Sequence, residues 1–110
     1  MKTSKLTGAA LDWAVAKCEG LTVNIDGGMV RLIGQPFDRH YDFWAPSTDW
    51  EQGGPIIARE RISVRDDGGD RWAADDGIHG AAYGPTPLIA AMRCYVASKL
   101  GDKVELPEGL

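Results

Sequence analysis

Apolar residues recur at helical spacing near the start of the chain, where a helix is predicted from Gly8 to Glu19. Its apolar face is formed by Leu11, Ala14, Val15 and Cys18. Thr7 is the expected N-cap, and Gly20 is the expected end. Trp13 lies off this face, so its indole ring requires a second surface on which to pack.

A second helical pattern, from Pro87 to Leu100, is apolar on two sides. Thr86 is the expected cap, and Gly101 is expected to end the helix. The wider apolar stripe contains Leu88, Ile89, Met92, Tyr95, Val96 and Leu100, and the opposite side carries the small residues Ala90, Cys94 and Ala97. Such a helix is expected either to be central in the domain or to pack against another subunit.

Between these helices, two segments alternate apolar and polar residues around polar turns. Residues 21–25 and 29–33 flank Asp26-Gly27-Gly28, which predicts a β-hairpin. Residues 62–65 and 71–74 flank a turn at 66–70, which predicts a second hairpin.

Shorter elements are predicted in the remaining segments. Thr48 and Glu51 form a capping pattern, and a short helix is expected from 55 to about 61, either separate or joined to the turn at Asp49 through a kink at Gly53-Gly54-Pro55. Residues 77–85 are expected to be irregular, and residues 104–106 could add an edge strand. The pattern predicts a single α+β domain over residues 1–110, with an antiparallel sheet covered by helices.

Composition narrows the functional classes. The chain has 110 residues and a formal charge of −4, which argues against binding to bulk nucleic acid or to an anionic membrane. No uninterrupted apolar segment suits a secretion signal or a membrane span, so a cytosolic location is expected. Cys18 and Cys94 lie in predicted helices and are expected to be reduced.

The most unusual segment is an aromatic loop. Five of the nine aromatic residues fall within residues 37–50, among Pro, Asp, Ser and Thr residues that disfavour a regular helix or strand. The rings could stack on a planar ligand while nearby arginines neutralise phosphate or carboxylate. The predicted ligand-binding residues are Arg39, Tyr41, Phe43, Trp44, Asp49, Trp50, Arg59 and Arg61. The alternative is that these rings fill one end of the core.

Other chemistry is less well supported by the sequence. Asp38, His40, Asp42 and Asp49 could be imagined as metal ligands, but their spacing matches no known metal motif. The aspartates between residues 66 and 70 lack the glycine and glutamate of a calcium loop. The other groups considered were Ser47 or Thr48 with His40 or His79 as a nucleophile and base, and Glu51 with Glu60 as paired carboxylates. No catalytic residue, metal site or cofactor is predicted.

Three sequence blocks resemble the signature of the NinX-like phage proteins. They comprise Leu6-Thr7-Gly8-Ala9-Ala10-Leu11-Asp12-Trp13-Ala14-Val15-Ala16, then Pro46-Ser47-Thr48-Asp49-Trp50 with Gly53-Gly54-Pro55-Ile56-Ile57, then Gly84-Pro85-Thr86-Pro87-Leu88-Ile89-Ala90-Ala91-Met92-Arg93. The resemblance implies a bacteriophage protein that works inside an infected bacterium and is similar to phage domains with an alpha-beta-alpha sandwich. It implies no biochemical activity.

The sequence therefore predicts a non-enzymatic phage protein that binds a partner or small ligand through the aromatic loop. The boldest hypothesis is sequestration of a nucleotide-derived host signal in antiphage defence. A host-protein interaction module with exposed aromatic residues is the alternative, and a small metal-assisted enzyme comes third. A homodimer or larger assembly is expected through Trp13, Ala90, Cys94 and Ala97.

Overall fold

Three α-helices and two small antiparallel sheets make up the computed structural model, which describes residues 1–34 and 43–110. The elements are α1 (Gly8–Glu19), β1 (Val23–Asp26), β2 (Met29–Leu32), α2 (Trp50–Glu60), β3 (Ser63–Asp66), β4 (Trp72–Asp75), β5 (Ala82–Gly84) and α3 (Pro87–Leu100). A short 3-10 turn at Thr3–Lys5 precedes α1. The predicted α+β class is confirmed, as are the bounds of α1 and α3.

The strands form two sheets rather than one. In the first, β1 pairs with β2, and Asp26 lies opposite Met29. Gly27 and Gly28, at φ 60° and 79°, form the two-residue turn between them. Such a left-handed turn matches the twist of a hairpin and is accessible to glycine at little cost. The second sheet has the order β3-β4-β5, with both pairs antiparallel. Both predicted hairpins are confirmed.

The strand β5 was not predicted, because residues 77–85 read as irregular. It pairs with β4 through Trp72 opposite Gly84 and Ala74 opposite Ala82. A three-residue strand is too short to show the alternation by which a strand is recognised in sequence. Its position is instead set by contact with α3. A Cβ atom at Gly84 would lie 2.8 Å from the backbone nitrogen of Ala90, so only glycine permits this approach.

The helix α3 is central in the domain, which is one of the two alternatives that its apolar pattern left open. It packs against all three strands of the second sheet, against α1 and α2, and against the N-terminal turn. Its buried residues are Leu88, Ala90, Ala91, Met92, Cys94, Tyr95 and Val96. Both sides of the helix are therefore covered by elements of the same chain.

The first and last segments of the described chain lie side by side. The Thr3 backbone N–H donates to the carbonyl of Asp102 at 2.8 Å, and the Thr3 hydroxyl donates to the carbonyl of Gly101 at 2.6 Å. Lys2 and Lys103 form an isolated antiparallel bridge. Val104 also exchanges two hydrogen bonds with Met1, each at 2.9 Å, but the edge strand expected at 104–106 does not form.

The helix α2 begins at Trp50 and is continuous, so Gly53-Gly54-Pro55 does not interrupt it. Its N-cap is Asp49 rather than the predicted Thr48, because the Asp49 carboxylate accepts a hydrogen bond from the Glu51 N–H at 2.9 Å. Gly53 brings α2 close to the segment before it. A Cβ atom at this position would lie 2.5 Å from the carbonyl oxygen of Pro46.

Alanine substitutions at the two adjacent glycines should have different effects. Gly53→Ala should lower the free energy of unfolding by about 1–3 kcal/mol, because the added methyl group meets a backbone oxygen that cannot easily move. Gly54→Ala meets nothing within 4 Å. The free energy of unfolding of Gly54→Ala should therefore stay within about 1 kcal/mol of the parent value, because the gain in helix propensity is offset by the steric restriction before proline. Urea denaturation measures both, and equal effects would contradict the close contact.

Candidate functional site

Trp44, at the centre of the predicted aromatic loop, is part of the core. Its side chain is 5% exposed, and its backbone N–H donates to the carbonyl of Val30 at 2.9 Å. The preceding residue, Phe43, forms a β-bridge with Arg31. Residues 43–44 thus extend the β1–β2 sheet. The interpretation in which rings fill the core holds for Trp44, which is not available as a stacking platform.

Two buried polar side chains hold the segment from Phe43 to Ser47 against the helices. The Gln52 amide accepts a hydrogen bond from the Ala45 N–H at 2.6 Å and donates to the Phe43 carbonyl at 2.9 Å. The Asp12 carboxylate accepts from the Ser47 N–H at 2.8 Å. These bonds satisfy backbone groups of an irregular segment that packs on the core. The bond between Asp12 and Ser47 also joins the first two signature blocks.

Asp12 carries the most perturbed carboxylate of this region. Burial raises the pKa of Asp12 to about 6, although the hydrogen bond from the Ser47 amide opposes the increase. In the segment that Asp12 holds, Trp44 Nε1 is buried without a hydrogen-bond partner among the described residues. Asp12 thus holds the segment from Phe43 to Ser47 in place, but desolvation of its carboxylate has an electrostatic cost.

Two aromatic rings of the predicted site remain accessible. Trp50 is 56% exposed at the start of α2, and Phe43 is 36% exposed. The Arg31 guanidinium lies 4.9 Å from the centre of the Phe43 ring, a cation–π distance. Asp49 is engaged as the N-cap of α2. Of the loop's aromatic residues that the structure describes, Phe43 and Trp50 are accessible and Trp44 is not.

The two described arginines of the predicted site, Arg59 and Arg61, lie at the C-terminal end of α2, whereas Trp50 begins that helix. Arg59 binds Glu19 through both terminal nitrogens, at 3.1 and 2.5 Å, and also contacts Glu60 and the Tyr95 hydroxyl. Burial raises the pKa of the Glu19 carboxyl, but the hydrogen bonds from Arg59 and Tyr95 outweigh it and leave that pKa below its usual value. This cluster joins the three helices. Arg61 is the exposed C-cap of α2, at φ 55°.

Several predicted residues lie outside the part of the chain that the structure describes. They are Arg39 and Tyr41 from the ligand-binding set and Asp38, His40 and Asp42 from the metal hypothesis. Among residues 1–34 and 43–110, no group of three or more His, Cys, Asp or Glu side chains could hold a metal ion. In the same ranges, no helix has the length and apolar content needed to span a bilayer.

A cavity of about 740 Å³ lies elsewhere in the domain, between the N-terminal turn, β5 and the second half of α3. This volume is within the range of small-molecule sites. Its lining comes from residues 2–4, 70–71, 79–85, 93–94, 97 and 102–103. None of the described residues predicted to bind ligand lines it.

The floor of the cavity is built from small side chains. Cys94 and Ala97 of α3 face Ala82 and Gly84 of β5. The sequence assigned Cys94 and Ala97, together with Ala90, to a subunit interface. In the structure Ala90 is 0% and Cys94 2% exposed within the single chain, so their small size serves the close packing of β5 and the shape of this floor.

Trp13, the fourth residue predicted at an interface, is half-buried and packs against the core cluster. The Lys17 ammonium lies 5.6 Å from the centre of its ring. The second contact surface expected for this indole is thus partly supplied by its own domain. Self-association stays a prediction that rests on the remaining exposed surface.

The rim of the cavity is charged, and Arg93 is its most constrained cation. The Arg93 Nε donates to the Leu6 carbonyl and Nη1 to the Tyr83 carbonyl, each at 2.8 Å. Partial burial lowers the pKa of Arg93, although the guanidinium stays charged. Nη2 makes no hydrogen bond to the described residues. Arg71 also lines the cavity; its guanidinium lies 4.4 Å from the centre of the exposed Tyr83 ring and is paired with Asp67.

His79 stands on the loop before β5 and also lines the cavity. Its Nδ1 atom is 2.7 Å from a carboxylate oxygen of Asp76. The other oxygen of Asp76 accepts from the backbone N–H groups of Ile78 and His79, both at 2.9 Å. The His79 amide first, and then its ring, lower the pKa of Asp76 to about 2. The imidazole is therefore oriented by a carboxylate. Ser47, which the sequence analysis considered as a nucleophile beside His79, instead donates its backbone N–H to Asp12.

The sequence did not reveal this cavity, because its residues come from six separate segments whose meeting depends on the fold. The signal that was available is the small side of α3, which the sequence analysis assigned to a second subunit. Gly84 is the other local sign that backbone approaches closely in this region, because a Cβ atom there would meet the backbone of α3.

The fold and the cavity define a small α+β domain with a ligand-sized, charged cleft. The chain belongs to the family described as bacteriophage P22, NinX, whose family model matches residues 2–99. The match covers all strands and helices apart from the last residue of α3. No curated protein matches the chain.

Asp12 should impose a pH dependence on stability. Because its folded-state pKa is raised from 3.8 to about 6, its contribution to the free energy of unfolding is greatest below pH 4 and falls as the pH rises to 6. The full loss is about 3 kcal/mol. Asp12→Asn keeps an oxygen acceptor for Ser47 and removes the titration. The stability of the variant relative to the parent should therefore increase between pH 4 and 7.

Urea denaturation at pH 4, 5, 6 and 7 measures this difference. Glu108→Gln, at an exposed position, is the matched control and should keep a constant difference from the parent chain. A constant difference for Asp12→Asn as well would show that its carboxyl is not desolvated in the fold.

Proposed function

We propose that this phage protein is a non-enzymatic binding protein that holds a small nucleotide-like anion in the cavity between the N-terminal turn, β5 and α3. The supporting observation is Arg93, fixed by two backbone carbonyls beside a ligand-sized space with a small, apolar floor. The physiological ligand would be a nucleotide-derived signal of the host, sequestered in the cytoplasm of the infected bacterium to counter antiphage defence.

The fixed guanidinium supports anion binding for a thermodynamic reason. An arginine that is already held by Leu6 and Tyr83 loses little side-chain entropy when it binds a phosphate oxygen. Partial burial also strengthens its electrostatic interaction relative to that of a fully solvated cation. Lys2 and Lys103, on paired segments at the same rim, add positive charge.

The aromatic component of the ligand would be recognised by shape and stacking. The Tyr83 ring is 42% exposed, and one of its faces is near Arg71. The side chains of Ala82 and Ala97, which line the cavity, are small and leave room for a planar base. An aromatic ring against Tyr83 and a phosphate near Arg93 would satisfy both parts of the cavity.

Thermal unfolding in the presence of nucleotides tests the proposal. A panel of nucleoside monophosphates, diphosphates, triphosphates and cyclic nucleotides should contain members that raise the Tm with concentration, by on the order of 10 °C at one hundred times Kd. Unphosphorylated nucleosides and inorganic phosphate should each have weaker effects. A Tm unchanged by every member of the panel would contradict the proposal.

Variants that remove cations from the cavity test whether the anion binds there. Lys2→Gln with Lys103→Gln should weaken binding of the best nucleotide about tenfold, since two rim cations are lost. Lys5→Gln is the matched control, because Lys5 belongs to the same N-terminal turn but does not line the cavity. Isothermal titration calorimetry measures both variants. Equal loss in the two would place the anion outside the cavity.

A second candidate function is docking of a host protein, which the exposure of Trp50 favours. Large accessible aromatic side chains are typical of binding hot spots. In that case, Trp50→Ala should abolish co-purification of a defined host protein from infected cells without lowering the Tm. Ile78→Ala, at an apolar residue 82% exposed, is the matched control and should retain the partner.

A further inference from the structure

His79 occupies a position on the cavity rim that the preceding proposal does not use. Its Nδ1 atom is held 2.7 Å from Asp76, and the imidazole is 48% exposed. The Nε2 atom makes no hydrogen bond to the described residues, so it is the ring atom available to a ligand. Asp76 itself is fixed by two backbone amides, which gives the ring a defined orientation.

The charged groups around the cavity differ in how they affect an added proton on this ring. Lys2, Arg71, Arg93 and Lys103 oppose a further positive charge, whereas Asp70, Asp102 and the contacting Asp76 favour it. The Cys94 thiol on the floor is neutral, because burial raises its pKa to about 11. A ligand that brings two negative charges would offset the surrounding cations and favour the protonated ring.

We propose that His79, oriented by Asp76, is a binding residue for the terminal phosphate of a phosphate monoester and takes up a proton when that dianion binds. This inference rests on the function proposed above. It assigns the ligand class more narrowly, since a monoester phosphate is a dianion and a cyclic phosphodiester is a monoanion. Imidazole suits this role because histidine changes its charge near physiological pH.

The protonated ring would donate from Nε2 to a phosphate oxygen, while Nδ1–H continues to donate to Asp76. Both hydrogen bonds are then charge-assisted. The Arg93 guanidinium would contact the same anion. Asp76 is a positioning residue in this arrangement, because it contacts the ring and not the ligand.

Calorimetry in buffers of different ionisation enthalpy tests the inference. At pH 7.5, where a phosphate monoester is already mostly dianionic, binding of a nucleoside 5′-monophosphate should be accompanied by proton uptake. The 3′,5′-cyclic nucleotide with the same base should bind at least about fivefold more weakly and take up less. Inorganic phosphate serves as the ring-free probe.

His79→Gln should abolish proton uptake and reduce the preference for the monoester to less than about twofold. Ile78→Ala, on the same loop, is the matched control and should leave both unchanged. The parent and both variants should have similar Tm values, since His79 is exposed. Asp76→Asn should weaken binding of the monoester and lower the proton uptake that accompanies it.

The outcomes separate the two proposals. Nucleotide binding that takes up no proton and is unchanged in His79→Gln would overturn the role of His79 and leave the binding function standing. Absence of binding by every nucleotide and by phosphate would overturn both. Proton uptake that is retained in His79→Gln would assign the proton to another group and would also overturn the inference.

Discussion

Contact between β5 and α3 is the constraint on which the second half of this domain depends. The helix is covered by α1, α2, the N-terminal turn and a three-stranded sheet, so its side chains must be small wherever a backbone passes close by. At Gly84 and Ala90 the two backbones are near enough that even a methyl group on the strand would collide. Further along the helix, Cys94 and Ala97 leave the space that forms the cavity. Close packing and an open cleft therefore arise from the same run of small residues.

In the first half of the domain, the energetic balance favours burial of the Trp44 side chain. Burying a tryptophan side chain removes roughly 150–250 Å² from water, worth about 4–6 kcal/mol at the usual coefficient. Desolvation of Asp12 costs about 3 kcal/mol when the carboxyl ionises. The ring burial exceeds this cost, and the carboxylate also satisfies the buried amide of Ser47. Trp44 is consequently in the core although its neighbours in sequence are polar.

The elements that the sequence predicted correctly are those set by local signals. The bounds of α1 and α3 coincide with Thr7, Gly20, Thr86 and Gly101, although only Thr86 makes the side-chain capping bond and the Thr7 side chain makes none. The first hairpin follows from Gly27-Gly28. The same logic failed at α2. Thr48 matches the capping pattern, yet Asp49 accepts the bond, because the segment ending at Ser47 is held by distant Asp12 and Gln52.

The candidate site could not be predicted in the same way, because long-range contacts decide which side chains are accessible. Arg59 reads as a free cation in sequence, but Glu19, forty residues away, occupies both of its terminal nitrogens. Arg93 reads as a helix surface residue, but the carbonyl of Leu6 fixes it at the cavity. The small side of α3 was visible in sequence, and its assignment to a subunit interface was reasonable, since sequence cannot tell a domain's own strand from a neighbouring subunit.

The distribution of charge bears on which anions such a cleft could accept. The chain carries −4 overall, whereas the described residues at the cavity rim include four Lys or Arg side chains and two aspartates. At physiological ionic strength, interactions are screened beyond about 8 Å, so an anion inside the cleft responds mainly to these local groups, among which Arg71 is already paired with Asp67 and His79 contacts Asp76. A polymer with one charge per about 1.7 Å would extend beyond the cleft over a chain whose net charge is −4, which opposes its binding. If the cavity binds anions, its field favours ones small enough to enter completely, which is consistent with a nucleotide and not with a duplex.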